Sequence, residues 1–121
     1  MPCILVVAAA ESRQRFVAIL RQAGYLIAEA DSEESALRIA VSSSPKLILI
    51  AIVIPDSNGL EVAAALRRNV NGEAPPIVLL GSVPPLGMND EPLVSLVNGY
   101  LDIDASPHDV LAMVRSQLSN Q

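Results

Sequence analysis

The chain has 121 residues, 51% of them apolar and 17% charged, and its eight Lys and Arg against thirteen Asp and Glu give a formal net charge of -5. That length fits one domain, 1–121, and the composition is too apolar and too weakly charged for a disordered segment. A single cysteine, Cys3, and a single histidine, His108, exclude a disulfide framework and a Cys- or His-clustered metal site, and the acidic balance argues against nonspecific nucleic-acid binding.

Ile4 to Val7 is a short continuous apolar run, the pattern of a strand covered on both faces. From Glu11 to Ala23 the period changes. Phe16, Ile19, Leu20 and Ala23 share a stripe, which predicts an amphipathic helix stopped by Gly24. Tyr25 to Ala30 reads as a second strand. Asp31 and Ser32 offer N-cap oxygens to a helix running to about Ser43, with Glu33 and Glu34 in the first turn, where the dipole favours them. Leu47 to Ala51 is the central strand and Ile52 to Ser57 a loop. Asn58 caps a third helix, whose apolar side includes Leu60, Ala63, Ala64 and Leu66.

Ile77 to Leu80 is the fourth strand. The stretch from Gly81 to Glu91 carries Pro84, Pro85 and Gly87, so a helix before the next strand is short, Pro92 to Val97. Asn98-Gly99 marks a turn and Tyr100 to Ile103 a fifth strand. Ser106, Pro107 and Asp109 stand at N-cap, N1 and N3 of the last helix, whose stripe is Val110, Leu111, Val114 and Leu118. No basic leader precedes the N-terminal apolar stretch and no apolar run nears the roughly 18 residues of a membrane span. The expected compartment is the cytoplasm, with no membrane contact.

Five alternations of strand and helix predict a parallel sheet with helices on both faces, and such sheets bind ligands at the carboxyl ends of their strands. Phosphoryl transfer at those ends needs carboxylates to hold Mg²⁺, a carboxylate nucleophile, and a hydroxyl and a cation for the phosphoryl oxygens. Here the ends carry Ala8-Ala9-Ala10, Ala51, Gly81 followed by Ser82, and Ile103-Asp104.

Across nearly its whole length the chain resembles the receiver domain of two-component response regulators. The resemblance rests on Ile4–Val7, Gly24-Tyr25, Pro45–Ile50, Ile54-Pro55-Asp56-Ser57-Asn58-Gly59-Leu60-Glu61, Pro76–Leu80, Tyr100-Leu101 and Ser106-Pro107. It implies a three-layer (βα)5 sandwich, flavodoxin-like or CheY-like, with a parallel five-stranded sheet in the order 2-1-3-4-5. It also implies where the chemistry would lie. The acidic pair of the family falls on Ala8, Ala9 and Ala10, the phosphoacceptor on Ala51, the hydroxyl on Gly81, the lysine on Ile103 and its proline partner on Asp104. The resemblance therefore points to a degenerate receiver, not an enzyme, with no metal or cofactor.

The family also docks partners, or a second receiver, on the face made by the fourth helix, fifth strand and fifth helix. Tyr100, Pro92 and Val110 are the candidates there, with Gly81 leaving room for an inward Tyr100. A buried Tyr100 with its hydroxyl bonded to backbone is the plainer reading. The expected function is a protein-interaction or regulatory module that is not phosphorylated, with a protein partner, a possible homodimer and no direct nucleic-acid contact. Two alternatives stand beside it: a small-molecule sensor using the vacated pocket, and a receiver phosphorylated at a displaced acid such as Asp56. The plain expectations for the remaining polar groups are a turn or capping role for Ser82, an exposed His108, loop or outward positions for Asp56 and Asp102, and a small packed residue for Cys3.

Overall fold

The computed structural model describes residues 3–54, 57–69, 75–81 and 97–119. In chain order these form β1 (Cys3–Val7), α1 (Ala10–Gln22), β2 (Leu26–Ala30), α2 (Glu33–Ser43), β3 (Leu47–Ala51), β4 (Val53–Ile54), β5 (Ser57–Asn58), α3 (Gly59–Asn69), β6 (Ile77–Gly81), β7 (Gly99–Asp102) and α4 (Pro107–Ser119). The main sheet is parallel and five-stranded, in the order β2-β1-β3-β6-β7. With the small antiparallel β4–β5 hairpin set aside, this is the expected 2-1-3-4-5 order. The hairpin replaces the loop read over Ile52 to Ser57. Val53 pairs with Asn58 and Ile54 with Ser57, which suits the β-branched side chains of the first arm. The short helix expected over Pro92 to Val97 lies outside the described residues except for Val97.

The central strands are apolar throughout because both their faces are covered. On β1, Leu5 and Val7 join one apolar cluster and Ile4 and Val6 the other. β3 repeats the alternation with Ile48 and Ile50 against Leu47 and Leu49, and β6 with Ile77 and Leu79 against Val78 and Leu80. This is the period of two of a pleated strand. The first cluster is closed by α2 and α3 through Ala36, Ala40, Val62, Ala63 and Leu66, and the second by α1 and α4 through Phe16, Val17, Leu20, Val110 and Val114. Each fully buried Leu, Ile or Phe contributes about 1.5–3 kcal/mol relative to exposure.

Helix ends are set largely where the sequence places them. Gly24, at φ 95°, follows α1, with its N–H donating to Arg21 O at 3.0 Å and the Tyr25 N–H to Leu20 O at 3.2 Å. That pairing is a Schellman close. Of the two caps offered to α2, Ser32 is used. Its Oγ accepts from the Ser35 N–H at 3.2 Å, and the Ser35 Oγ accepts from the Ser32 N–H at 3.3 Å. Asn58 Oδ1 accepts from the Glu61 N–H at 2.9 Å, and Ser106 Oγ accepts from the Asp109 N–H at 3.2 Å.

Two helix faces differ from expectation. α1 buries Phe16, Val17 and Leu20, while Ala23 is exposed. α3 buries Val62, Ala63, Ala65 and Leu66, leaving Leu60 and Ala64 only half-buried. Among the described residues, no helix is long and apolar enough to cross a membrane.

Candidate functional site

Parallel register brings the four inspected positions to one end of the sheet. Ala8 follows β1, Ala51 closes β3 opposite Leu80, Gly81 closes β6 opposite Asp102, and Ile103 follows β7. Ala8 and Ala51 are both buried in the α2–α3 cluster. Ala9 is half-buried and Ala10, the first residue of α1, is exposed. Ile103 is half-buried and packs against both clusters, so it ties the two faces together at this end of the sheet.

Ile52 closes what remains. Its N–H donates to Leu80 O at 2.9 Å and its carbonyl accepts from the Gly59 N–H at 2.8 Å, which fixes the turn leaving β3. The Ile52 side chain then lies over Gly81, where an added Cβ would stand 2.6 Å from Ile52 Cδ1. The space beside Gly81 is thus filled by Ile52, which corrects the expectation of room there for Tyr100. A Cβ on Gly59 would run into the Ala51 carbonyl, so the start of α3 presses directly on the end of β3.

α1 brings two arginines to this end of the sheet. Arg13 Nη1 donates to Ala8 O at 2.9 Å, and Arg13 Nε pairs with Glu29 Oε1 at 3.1 Å. Arg21 Nη2 meets the other oxygen of Glu29 at 3.4 Å. These partly exposed pairs contribute at most about 1 kcal/mol each. An open cleft of about 210 Å³ lies between the first turns of α1 and α2, lined by Arg13, Glu29, Asp31 and Arg38 among others. On the far side of the sheet end, Arg15 Nη1 donates to Ile103 O at 3.1 Å and Arg15 Nη2 donates to Ala105 O. Arg13 and Arg15 are two residues apart and so point to different sides of α1.

The remaining candidates separate. Tyr100 is half-buried, stands opposite Leu79, and packs against the α2–α3 cluster. Its hydroxyl is buried and has no hydrogen-bond partner among the described residues, so the expected bond to backbone is not made there. Val110 is 0% exposed within the α1–α4 cluster. It is a core residue and cannot meet a partner, because the first turn of α4 directs it at the sheet. Pro92, Asp56 and Ser82 lie outside the described residues. Asp102 and Asp104 are exposed, and the Asp102 carboxylate accepts from the Asp104 N–H at 2.8 Å as a turn residue. His108 is exposed in the first turn of α4 and Cys3 is half-buried.

Sequence reading did not single out Ile52, Arg13 or Arg15. Ile52 falls in the segment read as a loop, and the two arginines lie off the apolar stripe of the first helix. The available signal was the spacing of Arg13 and Arg15, which turns each toward a different strand end.

Residues 4–115 match the family model described as response regulator receiver domain. Over 109 residues the chain is 28% identical to the phosphate regulon transcriptional regulatory protein PhoB of Pseudomonas aeruginosa, covering 88% of this chain and 46% of that protein. Over 118 residues it is 25% identical to histidine kinase P4 of Formosa agariphila, covering 98% of this chain and 9% of that protein. The chain thus spans less than half the length of either relative. The structure of the Vibrio cholerae chemotaxis protein CheY4 superposes with a TM-score of 0.88 at 24% identity, covering 98% of this chain and 99% of that one, and shows the same fold.

Proposed function

The chain belongs to the response regulator receiver domain family, and on that premise we propose that it serves two-component signalling as a protein-interaction or regulatory module that takes no phosphoryl group at Ala51. The carrying observation is the filled strand end: Ala8 and Ala51 are buried and Ile52 occupies the space over Gly81. A methyl group at Ala51 has no lone pair with which to attack phosphorus. In this reading the domain is not an enzyme, and it works by presenting a surface to a protein partner, a fused domain or a second copy. The surface is the side of the sheet edge carrying Tyr100, without the core residue Val110.

The residues at the strand ends do not fit the divalent cation of an active receiver. Mg²⁺ takes oxygen ligands in an octahedral shell. Ala8, Ala9, Ala10 and Ala51 supply no side-chain oxygen, and the Ala8 carbonyl already accepts from Arg13. That guanidinium is itself paired with Glu29, so the charge beside these strand ends is balanced rather than the net negative charge a divalent cation needs.

The test is incubation with a small-molecule phosphodonor and Mg²⁺, followed by intact mass. The expected result is an unchanged mass. A gain of one phosphoryl group that disappears in Asp56→Asn would replace this reading with a displaced acceptor.

A further inference from the structure

The segment leaving β7 is held by the sheet on one side and by a single side chain on the other. The Ile103 N–H donates to Gly81 O at 3.0 Å, and the Ala105 N–H donates to Asp102 O at 2.9 Å. The Asp104 N–H donates to the Asp102 carboxylate at 2.8 Å. Two carbonyls of the same segment, those of Ile103 and Ala105, accept from the two Nη atoms of Arg15. The guanidinium stands 5.3 Å from the ring centroid of Phe16, itself fully buried beneath it. No carboxylate pairs with Arg15 among the described residues.

We propose that Arg15 is a clasp that fixes Ile103–Ala105 in one conformation, just ahead of the start of α4. A planar guanidinium holds its two Nη donors in a fixed fork that reaches two separate carbonyls, whereas an ammonium carries its three donors on one nitrogen at the end of a flexible stem. The clasp joins α1, which is locked into the core by Phe16, Val17 and Leu20, to a segment whose other ties are two backbone bonds, the Asp102–Asp104 turn bond and the packing of Ile103 and Ala105. Ile103 is the residue that packs into both apolar clusters, so a released segment would uncover the sheet end from above. The device rests on the reading that this domain works by presenting a surface, and holds in place the segment that follows the strand carrying Tyr100.

Amide hydrogen exchange on the whole chain tests the clasp. In Arg15→Ala the amides of Ile103 and Ala105 exchange about tenfold faster relative to that of Val6 in β1. Arg13→Ala, which removes a different arginine from the same helix, leaves that ratio at the wild-type value. Arg15→Lys keeps the charge and loses protection at one or both amides. Using the ratio to Val6 removes any uniform loss of stability. An unchanged ratio in Arg15→Ala, or full protection in Arg15→Lys, overturns the clasp while leaving the unphosphorylated reading intact. A phosphoryl mass gain on the wild-type chain sinks that reading and leaves the clasp standing.

Discussion

Ile52 occupies the volume that a side chain on Gly81 would need, with its Cδ1 2.6 Å and its Cγ1 3.2 Å from the position of a Cβ there. The two residues are therefore a packed pair, and a side chain can be added to one only if the other gives way. Gly81→Ala is expected to cost about 1 kcal/mol, because the obstacle is the end of a side chain that can change rotamer. In an Ile52→Ala background the same substitution costs less, and a double-mutant cycle in urea measures the coupling. Gly59→Ala is expected to cost more, about 2–3 kcal/mol, because its obstacle is the Ala51 backbone carbonyl, which cannot step aside. Equal costs at the two glycines, or additive effects of Ile52→Ala and Gly81→Ala, would contradict this packing.

The Tyr100 hydroxyl yields a second prediction with the opposite sign. It is buried without a partner among the described residues, so its desolvation is uncompensated there. Tyr100→Phe should leave stability unchanged or raise it by up to about 1 kcal/mol. A loss of more than about 1 kcal/mol in the denaturation midpoint would reveal a hydrogen bond to the hydroxyl.

What was legible in the sequence was whatever is decided locally. Ile4–Val7, Leu47–Ala51 and Ile77–Leu80 are continuous apolar runs because each strand is covered on both faces, which marks them as interior strands, while their order was implied by the receiver resemblance. Gly24, Ser32, Asn58 and Ser106 end or start helices through bonds that each span three residues. The methyl groups at Ala8 and Ala51 could be placed at strand ends for the same reason. Contacts made across the fold were not legible. Arg13 meets Glu29 and Arg15 meets Ile103 and Ala105 over separations of 16, 88 and 90 residues. Ile52 finds Gly81 only because β3 and β6 are neighbours. The face of α3 differs from the reading because Ala63, Ala64 and Ala65 blur the helical period, whereas Val110 is buried as its place on the apolar stripe of the last helix predicts, and only the family resemblance had set it on the docking face.

Metal dependence separates this domain from a receiver that binds Mg²⁺. A ligand that binds the folded state stabilises it in proportion to the logarithm of its concentration over its dissociation constant. With the strand ends carrying methyl groups and an arginine, millimolar Mg²⁺ should leave the melting temperature where it is. The control is the same ionic strength made up with a monovalent salt, which matches the screening. An upward shift of several degrees specific to Mg²⁺ would show a cation site.

At the opposite end of the sheet, Asn98 does more than mark a turn. Its Oδ1 accepts from the Ile77 N–H at 2.8 Å and from Arg67 Nη2 at 2.8 Å, so one side-chain oxygen joins the start of β6, the end of α3 and the approach to β7. Burial pushes the Arg67 guanidinium below its ordinary pKa, yet an arginine stays charged near neutrality. Asn98→Ala removes the acceptor from both donors and should cost about 1–3 kcal/mol. Asn98→Asp keeps an acceptor and sets a negative charge against Arg67, which lowers the carboxyl pKa in the folded state below the unfolded value of about 3.9. The sign follows: the added stability is full above the unfolded pKa and is lost as pH falls through the folded pKa. Denaturation midpoints near pH 7 and about pH 3 should therefore show Asn98→Asp losing ground to the wild type as acid is added. A constant difference between the two chains across that window would mean that the introduced carboxylate does not reach Arg67.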